Sequence, residues 1–188
     1  MTKKLDNNTL WNEAAKAGAL FGAVSVGCLS LKELATASGS AFLTQAATVV
    51  LWAVEFFGCI LLMKKVMLDL RDKYDDVRME HTKTLGRRAA LLSGLLLASA
   101  QALFIMQMPA ESMNDMLSTL MDGFQFSASE RSQVEGMMGS LPVYTFLFQW
   151  FYCFIYGSLL ASFMSRYIFL QRLFTAPGED PNQKPDEQ

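Results

Sequence analysis

Histidine occurs once in this chain, at His81, with no cysteine or second histidine at ligand spacing, so a zinc-type site is not expected. Cysteine is almost as scarce. Cys28, Cys59 and Cys153 each fall in a different apolar run without paired spacing, and they read as inert packing thiols. A Gly-rich phosphate loop, a nucleophile elbow and a carboxylate pair at acid–base spacing are also missing. We therefore expect no enzyme activity, no cofactor and no metal. A net charge of −2 carries no basic footprint, which argues against nucleic acid as a partner.

Charge is missing in another way, because four long stretches carry almost none. The chain is 52% hydrophobic, and those residues gather in runs instead of recurring at amphipathic spacing. A bilayer core about 30 Å thick needs roughly 20 apolar residues per helix. Residues 14–31, 41–63, 89–108 and 143–164 meet that length. The expected fold is all-α, an integral membrane four-helix bundle with a short amphipathic helical external segment at 109–142. Residues 1–175 would form a single membrane domain and 176–188, Pro-rich and acidic, a disordered cytoplasmic tail.

The first span follows Lys3 and Lys4, but the polar leader is long and Ser25, Val26 and Gly27 make a poor lipoprotein box before Cys28. We expect it to be retained. Basic side chains resist translocation, and the 64–88 connection holds Lys64, Lys65, Arg71, Lys73, Arg78, Lys83, Arg87 and Arg88. The segment 109–142 holds only Arg131, while Arg166 and Arg172 follow the fourth span. Both termini are therefore expected in the cytoplasm, in a bacterial inner membrane. Lys64, Lys65, Arg87 and Arg88 would meet anionic lipid headgroups.

Helices in lipid associate through small residues that let backbones approach. Ala15, Ala19, Ala23 and Gly27 recur every fourth residue in the first span, beside Gly18 and Gly22; Ala90, Gly94, Ala98 and Ala102 do so in the third. Intramolecular packing is the plainer reading, and a homo-oligomer seam the sharper one. Tyr144, Phe146, Phe148, Trp150, Phe151, Tyr152, Phe154 and Tyr156 crowd the fourth span, where large rings would fill the grooves of small seams or sit at the interface.

Glu55 is the costly residue. It lies roughly 13 Å along the helix from Lys64, near the bilayer centre, where a carboxylate costs about 2.5 to 3.5 kcal/mol. It should face protein or water, with Gln101, Ser99, Gln149, Tyr152 and Tyr156 as candidate partners. Either it is a proton-coupled site or it holds the bundle through a helix–helix hydrogen bond. Seven of the twelve methionines lie between Met106 and Met138, and two short amphipathic helices are expected there. Met113, Met116, Met121, Met137 and Met138 would present an adaptable surface to a membrane or periplasmic partner protein.

Several features together resemble a family of small four-helix membrane proteins, a domain of unknown function widespread in Bacteroidetes bacteria. They are the Gly-rich first span (Ala17 to Gly27), Arg71, Asp72 and Lys73 closing the second, the small-residue third span from Gly86 to Ala102, and Glu135, Gly136, Met137 and Met138 in the external segment. The resemblance covers nearly the whole chain before the tail and brings no activity or site residues with it. The leading functional expectation is a non-enzymatic accessory or scaffold subunit of an inner-membrane assembly. The alternative is a small homo-oligomeric proton-coupled transporter or channel that uses Glu55.

Overall fold

The computed structural model describes residues 5–37, 39–74, 76–109, 111–113, 118, 136 and 138–174. Four long helices dominate: α1 (Asn7–Ala37), α2 (Ala41–Lys73), α3 (Met79–Gln107) and α4 (Leu141–Phe174), the last preceded by a 3-10 turn at Met138–Ser140. All four are long and apolar enough to cross a membrane, and no strand occurs among the described residues. The chain is a multi-pass, all-α membrane protein.

Helices of 29 to 34 residues are roughly 43 to 51 Å long, well beyond a hydrocarbon core of about 30 Å. The excess gathers at one end. There α1 starts at Asn7, α2 runs on to Lys73, α3 begins at Met79 and α4 continues to Phe174. The charged connection expected over 64–88 is thus mostly helix, and only 74–78 link α2 to α3. These charged turns stay helical because one face is apolar. Leu10 and Ala14 of α1, Leu70 of α2 with Tyr74 just beyond its end, and Leu85 of α3 pack into one buried cluster.

Local chemistry sets the helix ends. The Asp6 carboxylate accepts the Thr9 N–H at 2.7 Å, opening α1, and the Ser40 hydroxyl accepts the Leu43 N–H at 3.4 Å, opening α2. Between them Gly39 takes φ +71°, a left-handed turn that glycine enters without strain. The single histidine has a role here too: His81 Nδ1 accepts the Arg78 N–H at 3.3 Å and closes the first turn of α3.

α3 is the spine of the bundle. Against α4 it forms a ladder of small residues with the two helices antiparallel. Gly94 faces Cys153, Ala90 faces Gly157, Gly86 faces Ala161 and Thr82 faces Ser165. Each rung advances four residues on one helix and retreats four on the other, the spacing that keeps one face toward a neighbour. A Cβ built on Gly94 would lie 2.9 Å from Cys153 Cβ, and one on Gly157 would run into Ala90 Cβ. The last rung is polar. The buried Thr82 and Ser165 hydroxyls stand 2.6 Å apart, each 2.9 Å from the Met79 carbonyl oxygen.

α1 lies parallel to α3 on its other side, with Gly18 against Ala89 and Leu92, and Gly22 against Leu96. Two expectations are corrected here. Ala15, Ala19, Ala23 and Gly27 face outward, and nothing stands within 4 Å of a Cβ built on Gly27. The packing face is instead Ala14, Ala17, Gly18, Phe21, Gly22 and Ser25, because a straight helix repeats every 3.6 residues and a strict four-residue stripe drifts off it. Nor do the large rings of α4 fill the small seams. Tyr144, Phe148, Phe151 and Tyr152 are exposed, and α4 meets α3 through its own small stripe; Trp150 joins that contact, donating Nε1–H to the Leu91 carbonyl at 3.3 Å.

α2 is the loosest member. Its buried residues are Met63, Met67 and Leu70, all in its final third, whereas Phe42, Val49, Val50, Trp52 and Phe57 are exposed. A core of Ala17, Phe21, Met63, Met67, Ala89, Ala161 and Ile168 ties the four helices together above the charged end. From there the bundle opens toward its other end. The site described next lies where it opens.

Candidate functional site

A cavity of about 280 Å³ lies between the helices, walled by residues of all four. α2 supplies Trp52, Glu55, Phe56 and Cys59, which fall at i, i+3, i+4 and i+7 and so share one face. α4 supplies Gln149, Tyr152, Cys153 and Tyr156 at the same spacing. Phe21 and Ser25 of α1 and Ser93 and Leu97 of α3 close the remaining sides.

Four of the five intramembrane polar residues singled out in the sequence, Glu55, Gln149, Tyr152 and Tyr156, line this one space. Gln101 does not; it is half-buried, one turn farther along α3 from Leu97. Ser99 turns its hydroxyl onto its own helix, donating to the Leu95 carbonyl at 2.8 Å. Glu55 is half-buried and, among the described residues, makes no hydrogen bond or ion pair. Gln149 instead points its amide at Cys153 Sγ, 3.4 Å away. All three cysteines are free thiols, and no group of His, Cys, Asp or Glu among the described residues is placed to hold a metal.

Aromatic rings border the acid. Trp52 stacks on Phe56 with centroids 5.5 Å apart, Phe56 meets Tyr156 at 6.3 Å, and Tyr156 stacks on Tyr152 at 6.3 Å. The row crosses the seam between α2 and α4. Trp52 and Tyr152, 64% and 57% exposed, stand at its two ends and leave the cavity a rim toward the surroundings of the bundle. Sequence reading passed over Trp52, Phe56, Ser25 and Ser93, although the helical spacing of the first two around Glu55 was available as a signal.

The basic residues divide. Arg88 is turned inward: its guanidinium lies 4.3 Å above the Trp11 ring, and Nη2 donates to Asn7 Oδ1 at 2.8 Å. These contacts arise because α1 begins early enough for its first turns to pass Arg88. Lys64 reaches over the Tyr167 ring at 5.8 Å, while Lys65 and Arg87 remain exposed. Lys73 pairs with Glu13 at 3.3 Å and ties α2 to α1.

Of the methionines assigned to a partner, Met113 is half-buried; Met116, Met121 and Met137 lie outside the described residues, and Met138 is described only as the start of the 3-10 turn. The two amphipathic helices expected in the external segment lie mostly outside them, with 111–113, 118 and 136 helical, and the tail 176–188 lies wholly outside. The chain matches no family model, no curated protein and no solved structure.

Proposed function

We propose that this protein is a small non-enzymatic carrier of the bacterial inner membrane, binding its ligand beside Glu55 and exchanging a proton there. The observation that carries the reading is the convergence of Glu55, Gln149, Tyr152 and Tyr156 on one cavity. A largely apolar cavity with a few convergent polar groups is the usual form of a small-molecule site. An intramembrane acid without a partner is costly to keep unless it is used. The basic residues crowding the 64–88 end support an arrangement with both termini in the cytoplasm. In that arrangement Glu55 stands near mid-membrane, and Lys65 and Arg87 touch anionic headgroups.

Dicyclohexylcarbodiimide, a lipid-soluble reagent that adds to protonated carboxyls, tests the site without knowledge of the substrate. Peptide mapping after treatment of the reconstituted protein should find the adduct on Glu55, with labelling that falls as pH rises. Glu55→Gln should lose the adduct and still elute as folded protein. A folded wild type that stays unlabelled at every pH would rule the reading out.

A second reading, an accessory or scaffold subunit, is favoured by one observation: Ala15, Ala19, Ala23 and Gly27 form an outward small-residue stripe that is exposed among the described residues. Such a stripe suits a neighbouring helix, from a partner protein or a second copy.

A further inference from the structure

We infer that the Glu55 cavity is selective for a small hydrophobic cation, an aromatic or quaternary ammonium, which exchanges with the Glu55 proton. The inference rests on the carrier reading and names its substrate class. Three observations carry it. Among the described residues the cavity wall includes a carboxylate and no basic side chain, so an ionised Glu55 meets no counter-charge from them there. The nearest membrane-depth cation on α2, Lys64, is turned away onto Tyr167. The rings of Trp52, Phe56, Tyr156 and Tyr152 line the same cavity as that carboxylate, and rings of this kind attract a cation within about 6 Å of their centroids.

Size and access narrow the class further. A volume of about 280 Å³ lies at the small end for ligand cavities, enough for a single-ring ammonium and too little for a large amphiphile. The exposed rim at Trp52 and Tyr152 admits a molecule that already partitions into lipid. Binding is then an exchange: the ammonium enters, the carboxyl proton leaves to water, and the charge in the cavity is the same before and after. A neutral ligand would leave the acid either unpaired or protonated and gain nothing from it.

The test uses the full chain in phosphatidylcholine vesicles with benzyltrimethylammonium and its uncharged isostere, neopentylbenzene. The cation should slow carbodiimide labelling of Glu55 about tenfold at saturation while the isostere leaves it unchanged. Phe56→Ala should weaken that protection, measured against the variant's own unprotected labelling rate, by roughly threefold to thirtyfold, the range of one cation–π contact. Equal protection by both compounds would overturn the cation class in favour of a general apolar site. Glu55 labelling with normal pH dependence but no protection by either would overturn the inference and leave the proton-exchange reading standing. Absence of labelling would remove both.

Discussion

Individual side chains divide by how far their partners lie along the chain. Glu55 is conspicuous in the sequence because charge is costly at bilayer depth, whereas the Asp6 cap emerged only once α1 was seen to begin at Asn7. The position of Arg88 over Trp11 depends on α1 and α3 lying side by side, which no local pattern encodes. Asp6 carries a pH dependence. Hydrogen bonding from the Thr9 side chain, and then from the Thr9 N–H, holds its carboxyl below the ordinary value of 3.8, so the folded chain binds this proton less readily than the unfolded one. The cap therefore contributes fully above about pH 3.8 and is lost as pH falls through the lower folded value. Amide exchange should find Thr9 losing protection in that acid range, whereas Asp6→Asn, which keeps the acceptor without the titration, should respond less. An identical acid response in both would count against the cap.

At the scale of elements, the existence and apolar extent of the helices were legible, and their faces only partly so. Glycine and alanine recur throughout these spans, and a small residue reveals neither which neighbour it meets nor whether it meets one. Gly18, Gly22 and Gly94 lie in close helix contacts and Ala98 is fully buried on α3, whereas Gly27 faces open space. The α4 stripe of Cys153, Gly157, Ala161 and Ser165 was masked by the larger rings around it. Its importance is measurable. Gly157→Leu should destabilise the bundle by about 1 to 3 kcal/mol through overpacking against Ala90, read as an earlier transition in detergent unfolding. Ser165→Ala leaves Thr82 its bond to Met79 and should cost only about 0.5 to 1.5 kcal/mol. Gly27→Leu is the control and should be near neutral; a loss as large as that of Gly157→Leu would mean that the outward stripe is itself covered in the membrane.

For the whole molecule, the described residues run from a tightly packed basic end to a looser opposite half, and the Glu55 cavity lies in that looser half. The basic end gains stability from the clusters around Leu85 and Met67, and the far half of α2 contributes little. The orientation proposed for this gradient has a direct check. Alkaline phosphatase, active only after export, should work when fused at Gln125 and fail when fused at Val77. Activity at Val77 with none at Gln125 would invert the arrangement and put the packed end outside.

The sequence by itself determined that the chain crosses a membrane four times as helices, since long uncharged runs have few other stable states in lipid. It also determined that one acid must face inward. Only the tertiary structure decided which small residues touch, that Arg88 folds onto α1, and that Gln149, Tyr152 and Tyr156 join Glu55 while Gln101 does not. Helical period defines faces within a helix, but the rotation and register of one helix against another come from packing across contacts distant in the chain.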